Sequence, residues 1–279
     1  MTNIRLCGII RVFPRGTERE DKKMRIAVID TETTSIDKPF CYNIGYVIYD
    51  TETAETLCKE DFVAEQIWHN KELFTTAYYA DKREGYISRM KGKTCRMEKL
   101  GYITQHIYRL FKEFEVCAVF AYNSPFDSRV FDFNCEWFKI INPLDNIPVF
   151  DIRGYVHQYI AFTPQFQQFC EDNEYFTEKG NYSTTAETIY RFLTGNNDFI
   201  EEHTALADSE IELQILLECI AKGAEWNKEY KVYSSVPRKV EKVLRVRATD
   251  GTDHLFPYHR ITTYKEKNNE TKIILKERS

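Results

Sequence analysis

The sequence predicts an α/β fold: a body built on a mixed β-sheet with flanking helices, followed by a small β-rich appendage. Three observations support this prediction. Several short apolar runs have almost no polar interruption, which is typical of strands buried on both faces of a sheet. Two further strand-like runs follow the first one closely, as in an antiparallel meander. Helical patterns then alternate with the remaining apolar runs, which is the order expected of an α/β protein.

The predicted strands begin at residues 25–30, which read Arg-Ile-Ala-Val-Ile-Asp. Residues 43–49 and 62–68 form the meander, and the polar residues 50–55 between them favour a reversal of chain direction. Two later apolar runs also have the composition of buried strands: residues 116–122 and residues 147–152.

Helices are predicted from their patterns and end signals. Residues 72–114 are mostly helical in pattern. Ser124 and Pro125 are suited to the N-cap and first turn of a helix that follows the strand at residues 116–122. The last helix of the body is predicted at residues 204–222, where Gly223 ends it.

A further helix is predicted between Ser183 and Leu193. Either Ser183 or Thr184 can cap it, and Thr184 with Glu187 has the spacing of a capping box. Gly195 is suited to the position that ends this helix.

The composition of the 279 residues is that of an ordinary globular protein, with 43% hydrophobic and 29% charged residues. No apolar run approaches the roughly 18 residues that a membrane-spanning helix needs, so no membrane partner is expected. The eight cysteines include no C-x-x-C pair, which argues against a zinc site or a disulfide framework. The first 23 residues lack the pattern of an export signal. These features together predict a cytoplasmic protein with reduced thiols.

Charge divides the chain into an acidic body and a basic end. The whole chain carries a net charge of −5, but residues 227–279 hold 13 Lys and Arg against 7 Asp and Glu. We therefore expect three parts: an N-terminal extension (1–23), a body (24–226) and a basic β-rich appendage (227–279). The acids of the body could hold metal while the appendage faces phosphates, although two solvated faces would give the same charges.

Two carboxylates stand at the end of the first predicted strand. Asp30 and Glu32 are two residues apart, so the period of a strand places both side chains on one face. Adjacent carboxylates repel each other unless a cation lies between them, and Mg²⁺ prefers oxygen ligands. The alternative is that these two acids only begin a solvated turn.

Three more residues fit the same chemistry. Asp127 falls in the first turn of its helix, where an acid also stabilises the helix end without any other role. His203 and Asp208 are five residues apart, which would turn them about 140° from each other on one helix. They can converge only if His203 precedes the helix and Thr204 is the cap. The alternative for His203 is an ordinary surface histidine.

Taken together, these residues resemble the DEDDh branch of the DnaQ-like 3′–5′ exonuclease family. The resemblance rests on three motifs in the family order: Asp30-x-Glu32, Asn123-x-x-Phe126-Asp127 and His203-x₄-Asp208. It covers residues 24–222. It implies a ribonuclease H-like fold, with a mixed five-stranded sheet flanked by helices.

The resemblance also implies a mechanism and a set of contacts. Asp30, Glu32, Asp127 and Asp208 would hold two Mg²⁺ or Mn²⁺ ions, and His203 would be the general base, its pKa raised by anionic neighbours. The products would be nucleoside 5′-monophosphates. The substrate contacts that the resemblance implies are Thr33, Thr34, Asn123 and Phe126. The appendage lies outside the resemblance, and there the positive charge alone predicts phosphate contacts at Lys239, Lys242, Arg245 and Arg247.

Three functions stay open at this point. The first is a 3′–5′ exonuclease on single strands, with DNA favoured over RNA. The second is a 3′–5′ exoribonuclease that trims RNA or degrades short oligoribonucleotides. The third is a nucleic-acid-binding module with an inactive site. A polymerase or a second copy of the chain is a candidate partner.

Overall fold

The computed structural model describes residues 24–75 and 82–238, together with four strands near the C-terminus. The strands of the body are β1 (Arg25–Thr33), β2 (Cys41–Asp50), β3 (Glu55–Ala64), β4 (Arg96–Glu98), β5 (Ala118–Ala121) and β6 (Val149–Asp151). The helices are α1 (Glu65–Trp68), α2 (Lys71–Thr75), α3 (Arg83–Lys91), α4 (Leu100–Glu113), α5 (Ser124–Phe138), α6 (Ile152–Val156), α7 (Pro164–Asp172), α8 (Ala186–Thr194) and α9 (Ala205–Ala221), and a π-helical turn (His157–Ala161) follows α6.

The six strands of the body form one mixed sheet in the order β4-β3-β2-β1-β5-β6. Strands β1, β2 and β3 are antiparallel neighbours, as the predicted meander requires. The third strand, however, is Glu55–Ala64 rather than residues 62–68, since Glu65–Trp68 form α1. Strands β5 and β6 run parallel to β1, as strands connected by helices do. The predicted α/β class with a mixed sheet is therefore confirmed.

The prediction of five strands is wrong, because β4 adds a sixth at the edge of the sheet. This strand pairs in parallel with the end of β3 over three residues. It lies inside residues 72–114, which were predicted to be mostly helical. A strand of three residues shows hardly one period of alternation, so only its contact with β3 reveals it.

Two predicted helix caps also differ in detail. The cap of α8 is Thr185 rather than Ser183 or Thr184, and its hydroxyl accepts the N–H of Thr188 at 3.2 Å. Helix α5 begins at Ser124, so the cap position falls on Asn123, which has a left-handed φ of 70°. Each cap lies one or two residues from a predicted position, because neighbouring polar residues could have served equally well.

Strand β1 separates two hydrophobic cores. Ala27 and Ile29 belong to the core beneath α4 and α5, whereas Ile26 and Val28 belong to the core beneath α6, α8 and α9. All four side chains are fully buried. This arrangement explains the near-continuous apolar run at residues 25–30, because a strand covered on both faces has no solvated side.

Residues 224–238, here called the strap, pack against the body after α9. The hydroxyl of Tyr155 donates to the carbonyl of Lys228 at 2.7 Å, and the backbone N–H of Tyr233 donates to Nδ1 of His157 at 3.0 Å. Val236 forms an isolated β-bridge with the chain of the body. Residues 227–238, which sequence analysis grouped with the appendage, thus make ordered contacts with the body.

Four short strands near the C-terminus form two antiparallel pairs. They are β7 (Lys242–Arg247), β8 (Asp253–Tyr258), β9 (Ile261–Lys265) and β10 (Thr271–Leu275), with β7 paired to β8 and β9 to β10. Lys242, Arg245 and Arg247 lie on β7, whereas Lys239 and the extension 1–23 lie outside the described residues. Within the described part of the chain, no helix combines the length and apolar character needed to cross a membrane.

Replacing Gly45 by Ala should destabilise the fold by about 3 kcal/mol, because overpacking against an immobile backbone forces a shift of whole elements. Helix α9 crosses β2 at this glycine, and a Cβ there would lie 2.0 Å from the backbone nitrogen of Leu206. The measurement is the free energy of unfolding in urea.

The matched control is Gly85→Ala in helix α3, where a Cβ meets nothing within 4 Å. Alanine is the better helix former, so this variant should be more stable by up to about 1 kcal/mol. A Gly45→Ala protein with an unchanged urea midpoint would contradict the close seating of α9 on β2.

Candidate functional site

A cleft of about 730 Å³ opens where the carboxyl ends of β1, β5 and β6 meet. The carboxyl ends of neighbouring parallel strands lie at one edge of the sheet, where the loops that leave those strands can form a site. Its lining comes from β1, from the residues after β5 and β6, from the start of α9, from the loop at residues 177–185 and from the strap. Six of the lining residues are acidic: Asp30, Glu32, Glu178, Glu201, Asp208 and Glu212.

The structure brings Asp30, Glu32 and Asp208 together. One carboxylate oxygen from each lies within 4.8 Å of the other two. Asp30 and Glu32 share a face of β1, as the strand period requires, and Asp208 reaches them from the first turn of α9. Three converging carboxylate oxygens match the donor set that Mg²⁺ and Mn²⁺ prefer, so this cluster fits a divalent cation.

Asp127 reaches the same region from the opposite side of the sheet. Its helix, α5, packs in the core on the other face of β1, and Thr31, which points to that face, donates its hydroxyl to Asp127 Oδ1 at 2.7 Å. The carboxyl group is buried, with 3% of the residue exposed. Asp127 is not one of the three clustered acids and does not line the cleft, but its charge contributes to the raised pKa values of Asp30 and Glu32.

Burial and mutual repulsion shift the acid pKa values upward. Burial is the largest cause in each case, and it raises the pKa of Glu32 to about 9, of Asp208 to about 8 and of Asp127 to about 7. Burial raises the pKa of Asp30 well above its usual range as well, with the charges of Glu212 and Asp127 next in size. Ionising these carboxyl groups therefore costs free energy in the absence of a cation, and a bound cation would offset that cost.

His203 lies in the cleft immediately before α9, in a left-handed backbone conformation with φ 51°. Thr204 occupies the N-cap position, so His203 precedes the helix, as it must if His203 and Asp208 are to converge. The ring nitrogen Nδ1 of His203 lies 3.8 Å from Oε2 of Glu201. Burial and the charge of Lys82 lower the pKa of His203, contrary to the expectation that anionic neighbours would raise it.

Sequence reasoning missed Glu212, a carboxylate in the same cleft. It is 3% exposed, and its Oε2 accepts the backbone N–H of Tyr122 at 3.1 Å. A signal was present, because Asp208 and Glu212 are four residues apart and share a face of α9. Arg153, a cation of the lining, was also missed and follows the third buried strand as Asp151-Ile-Arg153.

The predicted substrate contacts of the body divide into two groups. Asn123 lines the cleft, whereas Thr33, Thr34 and Phe126 are not among its lining residues. Thr34 is buried, with 2% exposed. Phe126 packs against the core beneath α5.

Comparison with known proteins bears on the fold. No protein-family model matches the chain, and no curated protein sequence matches it. Among solved structures, the chain is similar to the nuclease domain of 3′hExo, a DEDDh family member bound to rAMP, with 13% identity, a TM-score of 0.52 and coverage of 78% of this chain and 100% of that chain.

Two further structures are similar. One is a full-length 3′-exonuclease, with 15% identity, a TM-score of 0.50 and coverage of 80% and 72% of the two chains. The other is a 3′-exonuclease that recognises the 3′ end of the histone mRNA stem-loop, with 15% identity, a TM-score of 0.50 and coverage of 85% and 77%. The predicted ribonuclease H-like fold of DEDDh exonuclease domains is thereby confirmed.

Replacing Asp208 by Asn should stabilise the cation-free protein at pH 8 by about 2 kcal/mol. A carboxyl group whose pKa is raised on folding contributes most stability below its unfolded pKa, near 4, and loses that contribution as the pH rises towards 8. The variant has no such group, so its unfolding free energy should fall less over this range. Chemical denaturation from pH 4 to pH 8 measures the difference.

The same variant should abolish stabilisation by ions. Mn²⁺ or Mg²⁺ should raise the melting temperature of the unaltered protein, since an ion that binds only the folded state stabilises it. The control is Asp198→Asn, which changes an exposed carboxylate outside the cleft lining. An Asp208→Asn protein that still gains several degrees with Mn²⁺ would contradict the metal site.

Proposed function

We propose that this protein is a metal-dependent 3′–5′ exonuclease that removes nucleoside 5′-monophosphates from the 3′ end of a single strand. The observation that carries the proposal is the convergence of Asp30, Glu32 and Asp208, with oxygens within 4.8 Å of one another. The convergence occurs in a cleft that also contains His203, on a fold shared with DEDDh exonuclease domains.

The four acids Asp30, Glu32, Asp127 and Asp208 would hold Mg²⁺ or Mn²⁺, two ions per site. Two such ions would activate the attacking water and neutralise charge on the phosphate and the leaving oxygen. The acidic lining would repel a polyanionic strand on its own. Bound cations would offset this repulsion, so metal binding and strand binding go together in this cleft.

His203 would be the general base that takes a proton from the attacking water. A base must be deprotonated before it acts, and the lowered pKa keeps the imidazole neutral at pH 7. The imidazole ring lines the cleft and is partly exposed to solvent. Asp208 lines the same cleft, so the proposed base and a proposed metal ligand share it.

DNA is the favoured substrate in this proposal, and RNA is the alternative. Of the similar structures, one has the ribonucleotide rAMP bound and one recognises the 3′ end of an mRNA stem-loop, which is why RNA stays the alternative. A release assay on labelled DNA and RNA strands of equal sequence separates the two substrates. An inactive binding module is disfavoured, because Asp30, Glu32 and Asp208 converge and His203 lines the same cleft.

The appendage is proposed to extend the contact with the strand. Residues 227–279 carry a net positive charge, and phosphate contacts supply most of the sequence-independent affinity for nucleic acids. Lys239, Lys242, Arg245 and Arg247 are the proposed phosphate contacts. Thr33, Thr34 and Phe126 remain proposed contacts for the terminal nucleotide, and a polymerase or a second copy remains a proposed partner of this proposed cytoplasmic enzyme.

A polarity test addresses the proposed reaction. A strand with a free 3′-hydroxyl should be shortened in the presence of Mg²⁺ with mononucleotides released from the first turnover, even when its 5′ end is blocked. A 3′-phosphate should slow the reaction, and circular single strands should resist it. Cleavage of circles, or full activity in EDTA, would contradict the proposal.

Replacing His203 by Ala should lower kcat by roughly 10²–10⁴, the usual contribution of a positioned general base. The stabilisation by Mn²⁺ should change little, because the three clustered carboxylates remain. The control is His69→Ala, which alters an exposed histidine outside the cleft. Loss of Mn²⁺ stabilisation with His203→Ala would instead indicate a metal ligand.

A further inference from the structure

Arg153 is a cation held in a cleft that is otherwise dominated by acids. Among the described residues that line the cleft, Arg153 and Lys179 carry a permanent positive charge, against six acids. Lys179 is exposed in a turn, whereas Arg153 is partly buried at the start of α6, directly after β6. The two cations therefore differ in how firmly the fold holds them.

Two sets of hydrogen bonds fix Arg153. The Asp151 carboxylate accepts the backbone N–H of Arg153 at 2.9 Å and that of Asn123 at 3.0 Å, which joins the ends of β5 and β6. The Arg153 guanidinium then donates from Nη1 to Oδ1 of Asn123 at 3.2 Å. Backbone and side chain are thus both positioned before any ligand arrives.

The described residues offer Arg153 no carboxylate partner within ion-pair distance, and its hydrogen bond to Asn123 goes to a neutral amide. A guanidinium has five N–H donors in a planar fork that matches the oxygens of a phosphate. The charge of Arg153 acts on the nearby Asp151 carboxylate, but that carboxylate lies beyond ion-pair distance and already accepts two backbone N–H groups. The guanidinium therefore keeps donors for an anionic ligand. This is the feature that the proposed reaction leaves unexplained.

We infer that Arg153 binds a backbone phosphate of the nucleic-acid strand, next to the phosphate held at the acidic cluster. This inference rests on the proposed function and adds a substrate-binding residue to it. Asn123 is then a positioning residue, since its amide oxygen orients the guanidinium. Ser234 and Ser235 of the strap and Ser183 and Thr184 of the facing loop add hydroxyl donors to the same cleft.

The test uses the full chain and a 5′-fluorescein-labelled oligothymidylate pentamer with phosphorothioate linkages, which keeps its charges and is hydrolysed slowly. Fluorescence anisotropy in Mg²⁺ over a series of KCl concentrations gives Kd and its salt dependence. Arg153→Gln should weaken binding about 10- to 100-fold, as expected for a charge-assisted contact, and reduce the salt slope by about 0.7. The matched control is Arg109→Gln on the exposed side of α4, outside the cleft, which should change neither quantity.

Two further variants separate a phosphate contact from a structural role. Arg153→Lys keeps the charge but loses the fork, so the salt slope should return while the affinity returns only in part. Asn123→Ala should weaken binding less than Arg153→Gln and should add little to it in the double variant. With an unmodified strand, KM should rise for Arg153→Gln while kcat stays within about threefold.

The outcomes distinguish this inference from the proposed function. Metal-dependent hydrolysis by the unaltered protein, together with an unchanged Kd and salt slope for Arg153→Gln, would overturn the inference and leave the function standing. Absence of hydrolysis with all strands would overturn the function, whereas the anisotropy series would still decide whether Arg153 binds phosphate. If Arg153→Gln fails to fold, an Arg153→Lys protein with the affinity and salt slope of the original would overturn the inference.

Discussion

The seating of α9 on β2 is the contact on which the site depends. Gly45 has no side chain, so the backbone of Leu206 can lie against the strand. Asn43 Oδ1 accepts the backbone N–H of Ala205 at 2.9 Å, and Ser209 donates its hydroxyl to the carbonyl of Gly45 at 3.0 Å. Asn43 and Gly45 are the β2 residues paired with Glu32 and Asp30 of β1, so the same contact places the first turn of α9, and Asp208 with it, beside those acids.

Asn43 is more than a single anchor, because it joins four elements. Its amide nitrogen donates to Asp61 Oδ1 and to the carbonyl of Phe62 on β3, and its oxygen also accepts the hydroxyl of Tyr86 from α3. Each polar group of the buried amide thus has a partner, as a buried network must to be stabilising. The network thereby fixes the start of α9 against β2 and β3, next to the acids of β1.

The cleft has two chemically different sides. The acids from β1 and α9 can hold cations, whereas Arg153, the hydroxyl-bearing loop at residues 177–185 and the strap supply donors suited to anions. The strap lies along the cleft because its backbone is hydrogen-bonded to Tyr155 and His157, which follow Arg153 in the chain by two and four residues. The segment after α9 therefore completes the cleft as well as leading to the basic strands.

Local periodicity and end signals were sufficient to determine much of this protein. They gave the double burial of β1, the shared face of Asp30 and Glu32, and the position of His203 before α9, because each depends on residues only a few positions apart. Approaches between distant segments were decided by the tertiary structure alone: the edge strand β4, the opposite-face entry of Asp127, and the place of Arg153 and the strap in the cleft. No local pattern encodes which segments meet, because a close approach such as that at Gly45 depends on how whole elements pack.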